Sequence, residues 1–589
     1  MSKVDPITLD IIENALKNAR FEMDGVVVRI ALSPVIREQH DEFPMICNAR
    51  GQMIVGQFGS YIPAIVDQFE NDLNEGDVFV WNDPYACKGS ISHNNDWCVM
   101  MPIFHDGVLV GFSSIFGHMV DVGGKVAGSM PFDARTIWEE GLRVPPVRLY
   151  DKGILNRGVL DIMLNNTRTP DMNRADLMAL VAGCRTASVR VRELCDRFGR
   201  DTYVEACDLL LDRTREAMKV LIAKYITDEP VTFTDYVDDD GVGNGPFKMT
   251  LSIYMRDGKA VFDWTGTADQ AEGPINFLIH EGLCKLFFGV YMIMAFDPTI
   301  LFNEGFYDLF EVILPEGSLL NPRFPAALSN RLNTHTRFFD CQAGALGQRA
   351  PHLSMAAGYG TSPHFIFTGH DQNGKYFQLY ELLFGGVPGR PRGDGLDGHA
   401  WWPLFSATPI EYIENYYPIL IDSYRPIRDS GGAGLHRGGA GIEKAYRVLS
   451  AGKVSIHDDR EIVPPWGING GLFGGTSCKW LIRAKDGEKV RIPSKIDNLA
   501  VEAGDVVLFQ TAGSGGWGDP FERPAAKVAH DVRCDLVSRE QAEKAYGVIL
   551  LADNTVDDAK TETLRTAMKA ARGVPEPFSF GYVPAEAAE

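Results

Sequence analysis

The chain of 589 residues has few basic residues and no long apolar run. Lys and Arg total 57 against 78 Asp and Glu, which gives a net charge of −21 at pH 7. A field of this sign repels nucleic-acid phosphates and anionic lipid surfaces, so we expect neither as a partner. No segment reaches about 18 consecutive apolar residues, and the first residues lack a basic stretch followed by an apolar core. We therefore expect no membrane anchor and no secretory signal.

Several sequence signatures of catalysis and cofactor binding are also missing. The ten cysteines never form a Cys-x-x-Cys pair, which favours reduced thiols and a cytoplasmic location. Neither GxxxxGK[ST] nor a GxGxxG between a strand and a helix is found, so the chain shows no nucleotide site of its own. No GxSxG nucleophile elbow occurs with suitable flanks.

The patterns that are present predict an α+β fold, with a helix-plus-strand N-terminal half and a Gly-rich, β-dominated C-terminal half. Asp5-Pro6 predicts the start of a helix over about 6–27, and a 3.6-residue period predicts helices over 171–226 with a break near Gly199. Asp106-Gly107 between two apolar runs predicts a tight β-hairpin. The glycine clusters after residue 385 are interpreted as turns between short strands.

These patterns divide the chain into three predicted regions. Residues 1–230 form an α/β region that includes the helical segment 171–226. Residues 231–530 form a β-rich region with one buried helix near 275–297, because that segment is apolar almost all round. Residues 531–589 form a C-terminal helix and an exposed tail.

The most informative polar residues are His93, Asp96 and His118. A hairpin folded at Asp106-Gly107 returns the chain so that residue 96 lies beside residues near 117, and the three side chains can then converge on one cation. Two imidazoles and one carboxylate suit zinc, manganese or iron with open coordination positions. The alternative is that both histidines are ordinary polar residues at strand ends. Asp121 is either an acceptor for an imidazole behind the metal or a turn residue before two glycines.

Two further polar segments are candidates. SPVIREQHDEF contains Glu38 and Asp41, and its ionisable groups beside apolar neighbours either tune a general base or form a solvated loop. NRLNTHTRFFD, with Asn330, Asn333, His335, Arg337 and Asp340, precedes a helical pattern and is a weaker candidate for anion binding.

Over nearly its full length the sequence resembles the B-type subunits of the hydantoinase and oxoprolinase family, which includes the metal-bearing subunits of acetone and acetophenone carboxylases. The resemblance rests on specific motifs of both halves: DPITLDIIENAL, SPVIREQHDEF, NDPY, SHNND, GHMVDVGG, EEGLRVPPVRLY, NNTRTPDMNRADL, DSGGAGLHRGGAGIEKAYR, PPWGINGG and GSGGWGDPFERP. In the carboxylase branch the metal is held by a His, an Asp three residues later and a His 22 residues after that. His93, Asp96 and His118 reproduce both gaps. The sequence departs from the common pattern in reading Ser-His-Asn-Asn-Asp around the first His and His118-Met119 in place of paired histidines.

The resemblance implies a two-component, ATP-dependent enzyme. A separate A-type partner binds ATP and phosphorylates an inert small molecule, and this chain processes the activated species, in an assembly expected to be a dimer of A–B pairs. For a cyclic amide such as a lactam, a hydantoin or 5-oxoproline, a cation at His93, Asp96 and His118 assists hydrolysis, and Asp41, in preference to Glu38, accepts the proton of water. The alternatives are a component of an ATP-dependent ketone carboxylase and a non-catalytic scaffold.

Overall fold

The computed structural model describes residues 4–59, 62–69, 72–401 and 405–582. Helices in these ranges are α1 Pro6–Ile30, α2 Pro34–Arg37, α3 Ile62–Val66, α4 Arg157–Asn165, α5 Pro170–Phe198, α6 Arg200–Tyr225, α7 Glu281–Phe296, α8 Leu332–Arg349, α9 Ile410–Tyr416, α10 Ala525–Arg533, α11 Arg539–Lys544 and α12 Asp558–Arg572. The first strands are β1 Glu42–Asn48, β2 Met53–Val55, β3 Val78–Trp81, β4 Asp96–His105, β5 Val108–His118, β6 Val147–Asp151, β7 Ile154–Leu155, β8 Val231–Val237, β9 Phe247–Arg256, β10 Lys259–Asp263 and β11 Phe310–Ile313. They are followed by β12 His364–His370, β13 Tyr376–Leu382, β14 Ile419–Pro426, β15 Ile442–Val448, β16 Gly452–His457, β17 Gly467–Ile468, β18 Cys478–Ile482, β19 Lys489–Ile492, β20 Lys495–Val501, β21 Val506–Gln510 and β22 Phe578–Ser579. The predicted α+β class is confirmed.

The chain divides into two compact units. Unit 1 comprises Met1–Pro230 and Ser252–Arg331, and unit 2 comprises Val231–Leu251 and Leu332–Glu589. The three-region division made from the sequence stays a prediction. Among the described residues no helix is both long and apolar enough to cross a membrane.

Unit 1 is built on a seven-stranded antiparallel sheet in the order β2-β1-β5-β4-β3-β6-β7. Helices α1 and α5 cover one face, and their apolar residues share a core with Trp97, Val99 and Ile115 of the two central strands. Helix α5 comes so close that a Cβ added to Gly183 would lie 2.5 Å from the Cδ1 of Ile115. The opposite face of β4 and β5 is therefore free of these helices and carries the polar residues described below.

The helix and turn predictions in this unit are confirmed. The Asp5 side chain accepts hydrogen bonds from the backbone amides of Ile7 and Thr8 and so caps α1, which continues to Ile30. Gly199, with φ of +89°, separates α5 from α6. Asp106 and Gly107 have φ of +50° and +73°, the left-handed values that a tight two-residue hairpin turn requires.

The buried helix predicted near 275–297 is α7. Nine of its residues are buried, among them Phe287 and Phe288. Phe288 packs on Phe262 of β10, with ring centroids 3.6 Å apart. The apolar surface on several sides of α7 therefore reflects burial within the unit.

Unit 2 contains a four-stranded and a five-stranded antiparallel sheet, in the orders β13-β12-β16-β20 and β14-β15-β21-β18-β19, and β17 pairs with β22. Side chains of the four-stranded and five-stranded sheets form one hydrophobic core, where Phe365 of β12 stacks on Tyr446 of β15 at 3.9 Å between ring centroids. The region predicted as one helix and a tail, residues 531–589, contains α11, α12 and the end of α10. Residues 583–589 of the predicted tail lie outside the described residues.

The interpretation of the glycine clusters as turns is wrong for many of them. A Cβ added to Gly438 would lie 2.1 Å from the carbonyl oxygen of Ser514, and one on Gly515 would lie 1.9 Å from that of Trp466. The backbones of these segments are packed directly against each other, and a side chain would force them apart. Composition alone does not distinguish this arrangement from a series of turns.

Candidate metal centre

Three of the residues singled out from the sequence meet in unit 1. His93, Asp96 and His118 are buried, and each offers one ligand atom such that all three atoms lie within 4.8 Å of one another. Asp96 Oδ1 is 3.0 Å from Nε2 of His93 and 3.5 Å from Nδ1 of His118. The two imidazole rings have centroids 5.0 Å apart.

The hairpin of β4 and β5 positions two of the three side chains. Asp96, the first residue of β4, is directly opposite His118, the last residue of β5. Because side chains alternate along a strand, both point away from the face that Trp97 and Ile115 bury against the helices. His93 comes from the loop that leads into β4.

Asparagine side chains hold that loop in place. Asn82, of the NDPY segment, donates to the carbonyl oxygen of Asn94 at 2.6 Å and accepts from the backbone amide of Val144. Asn95 donates to the carbonyl oxygens of Met119 and Gly128. The polar residues around His93 and Asp96 thus fix the backbone that presents them, a role that the sequence pattern did not indicate.

The environment sets the protonation of the ligands. Burial, with the nearby Arg331 cation, lowers the pKa of His93 to about 3, so its imidazole is neutral at pH 7. Burial acts to raise the pKa of Asp96, but His93, His118 and Arg331 together lower it well below its usual range. A neutral imidazole and an ionised carboxylate are the protonation states that bind a cation.

Asp41 lies beside the candidate ligand His118, whereas Glu38 lies beside Arg37. Asp41 Oδ2 is 3.9 Å from Nδ1 of His118, and burial raises the pKa of Asp41 to about 6, with Asp96 adding to the rise. Glu38 follows the short helix α2 and pairs with Arg37 at 3.3 Å. Of the two candidate bases, Asp41 is therefore the one that lies against a candidate ligand.

Arg331 is a site residue that the sequence reasoning missed. Its guanidinium Nη2 is 3.5 Å from Asp96 Oδ2, and its Nε donates to Ser92 Oγ at 2.8 Å. It belongs to the segment NRLNTHTRFFD, in which five neighbouring polar residues were singled out instead. Nothing in the local spacing distinguishes it, because the contact spans more than 230 positions.

Asp121 organises the loop after β5. Its carboxylate accepts hydrogen bonds from the backbone amides of Gly123, Gly128 and Arg168 and pairs with the Arg168 guanidinium at 2.9 Å. Its role toward an imidazole stays a prediction.

The remaining candidates of NRLNTHTRFFD lie in α8 or just before it. Arg337 pairs with Asp459 at 2.6 Å, and Asp340 pairs with Arg460 at 2.6 Å, all within the interior of unit 2. Asn333 accepts a hydrogen bond from Thr361. In unit 1, Asn330 donates to the carbonyl oxygen of Pro131. His335 is buried beside Phe339. Arg337 and Asp340 thus belong to an internal ion-pair network.

The cluster at His93 fits a divalent metal. Among the described residues, the buried Nδ1 of His93 has no hydrogen-bond partner, and a bound cation is one way to satisfy a buried imidazole. Two imidazoles and one carboxylate suit zinc, manganese or iron and leave coordination positions for substrate or water. The donor set does not select among the three metals.

Comparison with known proteins shows the family. The family model described as hydantoinase B/oxoprolinase matches residues 5–520. The chain belongs to this family. It is 30% identical over 591 residues to a putative D-/L-hydantoinase B-type subunit of Pseudomonas sp. (strain NS671), with 96% of this chain and 98% of that protein covered. It is 32% identical over 597 residues to the beta subunit of caprolactamase of Pseudomonas jessenii, with 96% and 100% covered.

Two solved structures share the fold. The crystal structure of ATP-dependent caprolactamase from Pseudomonas jessenii matches with a TM-score of 0.88 at 28% identity, covering 96% of this chain and 100% of that one. A nucleotide-free acetone carboxylase matches with a TM-score of 0.87 at 20% identity, covering 99% and 84%. Both of the Pseudomonas relatives are named as subunits of enzymes, and the family is one of enzymes.

Proposed function

We propose that this chain is the metal-bearing, B-type component of a two-component amidohydrolase that opens a cyclic amide after an A-type partner has phosphorylated it with ATP. The convergence of His93, Asp96 and His118 beside Asp41 is the observation that carries the proposal. The full-length correspondence with a caprolactamase chain supports a lactam or a similar cyclic amide as the substrate class.

The need for activation follows from amide chemistry. An unstrained amide is a poor electrophile, and phosphorylation of its oxygen creates an imidate-like carbon with a better leaving group. Water adds to that carbon, and the C–N bond breaks as the ring nitrogen takes a proton, which leaves an acyl phosphate. A second water then hydrolyses the acyl phosphate and releases phosphate. The chain shows no phosphate loop, which agrees with ATP binding on the partner.

The residues of the site have two separate roles, cation binding and proton acceptance. His93, Asp96 and His118 would hold the cation, which supplies Lewis acidity toward a carbonyl oxygen or water. The Asp41 carboxylate is the proton acceptor for the attacking water. The side chain of Asp41 is only 13% exposed and lies beside His118, so the proton moves to an oriented group.

A ketone carboxylase component is the second candidate, because acetone carboxylase has the same fold. Its chain is longer, since only 84% of it is covered, whereas the whole caprolactamase chain is covered. The full-length match favours the hydrolase.

The deciding experiment is to co-express the chain with its A-type partner and to assay ATP hydrolysis with cyclic amides and with ketones, each with and without bicarbonate. We expect ring-opened product, metal bound to this chain, and loss of both in Asp96→Ala. A product heavier by one carboxyl group would establish the carboxylase. Full ring-opening activity in an Asp96→Ala complex that has lost its metal would exclude the metal-based mechanism, and a chain without stoichiometric metal would favour a scaffold. Mass determination of the complex tests the dimer of A–B pairs.

A further inference from the structure

Arg331 places a permanent positive charge beside the candidate metal centre. Its side chain is only 9% exposed, and it is the residue directly before α8. The two oxygens of Asp96 face different groups: Oδ1 is near His93 and His118, and Oδ2 is 3.5 Å from Arg331 Nη2. Ser92, bonded to Nε, fixes the orientation of the guanidinium plane.

The charges of the site suggest what it binds. A divalent cation held by His93, Asp96 and His118 would, together with Arg331, carry three positive charges, against one negative charge on Asp96 and at most one on Asp41. The site is therefore net positive whether Asp41 is ionised or protonated. A buried excess of positive charge is costly unless an anion compensates it.

The geometry of the Arg331–Asp96 pair differs from that of the buried arginines in unit 2. Arg337 and Arg460 each lie 2.6 Å from a carboxylate oxygen, as expected of a charge-assisted hydrogen bond. Arg331 is 3.5 Å from Asp96, a separation too long for a strong bond of this kind. Asp96 is shared with two imidazoles and Arg331, so Arg331 brings a positive charge and N–H donors to the site.

We propose that Arg331 binds the anionic phosphoryl group of the activated substrate and so determines that this chain acts on the phosphorylated amide in preference to the neutral one. The inference rests on the proposed function and names a residue and a substrate charge for it. A guanidinium presents N–H donors in a plane that matches two phosphoryl oxygens, which a neutral lactam lacks. The contact with Arg331 therefore adds nothing to the binding free energy of an amide that has not been phosphorylated.

The test is binding of inorganic phosphate to the full-length, metal-loaded chain, measured by isothermal titration calorimetry. Arg331→Gln is expected to weaken phosphate binding by roughly tenfold or more, because a charge-assisted contact is lost. The matched control is Arg148→Gln, since Arg148 of strand β6 also pairs with a buried aspartate, Asp77. The control is expected to bind phosphate within about twofold of the wild type. Metal content is measured for each protein.

Several outcomes would overturn the proposal. One is equal phosphate affinity in wild type and a folded, metal-loaded Arg331→Gln. If that variant fails to fold, Arg331→Lys replaces it, and unchanged phosphate affinity there would contradict recognition by the guanidinium fork. Bicarbonate is titrated in parallel: an Arg331 variant that loses bicarbonate binding but keeps phosphate binding would assign the residue to a carboxylase reaction.

The reconstituted complex separates this proposal from the one on which it rests. With Arg331→Gln we expect ATP consumption by the partner to continue while ring-opened product falls, with the metal retained. If the wild-type complex forms no ring-opened product or the chain holds no metal, the proposed function fails. Suppose instead that the wild-type complex forms ring-opened product and the chain holds metal. If Arg331→Gln then keeps the wild-type ratio of product formed to ATP consumed, only the assignment of Arg331 fails.

Discussion

Asp41 and His118 lie close to each other through both their backbones and their side chains. The backbone amide of His118 donates to the carbonyl oxygen of Asp41 at 3.0 Å, and Nδ1 of the His118 ring lies 3.9 Å from Oδ2 of Asp41. The first contact extends the pairing of β1 with β5, in which Glu42 is opposite Gly117. The candidate base is therefore set by the same sheet register that sets a candidate ligand, and the two cannot move independently.

Replacing Asp41 by Asn tests its role as base. We expect product formation by the reconstituted complex to fall by about 100- to 10,000-fold, because the amide cannot accept the proton of water. Metal content is expected to stay at the wild-type level. The control is Glu38→Gln, which removes the other carboxylate of the same segment and should leave the rate within about twofold. A larger effect of the Glu38 change would reverse the assignment.

Replacing Asp96 by Asn tests the metal site. Metal content, measured by mass spectrometry of the purified chain, should fall from about one ion per chain to less than about 0.1, because a neutral amide replaces the charged ligand. Asp106→Asn is the control, since Asp106 lies at the turn of the same hairpin with its side chain 82% exposed. Retention of stoichiometric metal in Asp96→Asn would show that the ion binds elsewhere.

The sequence allowed accurate prediction where the signal was local. Asp5-Pro6, Gly199 and Asp106-Gly107 mark the ends of α1, α5 and the strands of the hairpin, because capping and turn formation depend on a few adjacent residues. The approach of Asp96 to His118 follows from the hairpin alone. Arg331 was not predictable, since it reaches Ser92 and Asp96 from a distant part of the chain.

Helix–sheet and backbone–backbone packing also lay beyond prediction. Glycine clusters at turns and glycine clusters at close backbone contacts look the same in sequence. The clusters around Gly438 and Gly515 were therefore wrongly interpreted as turns. The preference for Asp41 over Glu38 gains support from the proximity of Asp41 to His118, which the sequence did not reveal.

Glu140 should make the stability of unit 1 depend on pH. Burial raises the pKa of Glu140 from 4.5 to about 8, although the amides of Ser329 and Leu328 act to lower it. The folded chain thus holds the proton more tightly than the unfolded chain. The stabilisation is complete below about pH 4.5 and is lost as the pH rises through about 8.

Glu140→Gln removes this titration while it keeps an acceptor oxygen for the two amides. Between pH 6 and pH 9 we expect the wild type to lose about 3 kcal/mol of stability relative to the variant. Calorimetric Tm values of both proteins across this range provide the measurement. Parallel pH profiles for the two proteins would show that Glu140 is already ionised in the folded state.

The buried ion pairs of unit 2 should be essential to its stability. Arg460 contacts Asp340 at 2.6 Å and Asp235 at 3.0 Å, and all three side chains are buried. Arg460→Met leaves two carboxylates without their cation, with an expected cost of about 3–5 kcal/mol in denaturant unfolding. Arg425→Met is the control, because Arg425 is 68% exposed in its pair with Glu443 and should cost less than about 1 kcal/mol. Similar losses in the two variants would contradict the network's role.

An irregularity in the pairing of β4 with β5 determines which residue of β5 lies opposite the candidate ligand Asp96. Near the turn His105 is opposite Val108 and Phe104 is opposite Leu109, but beyond it Ile103 is opposite Gly111, so Val110 is an additional residue in β5. If Val110 were paired in the ladder instead, Asp96 would be opposite Gly117 and His118 would be one position further along. A single-residue insertion or deletion within residues 96–103 or within residues 111–118 would thus shift one candidate ligand relative to the other unless a second length change compensates. Relatives that keep the three candidate ligands are expected to vary within these two stretches by substitution and to conserve their lengths.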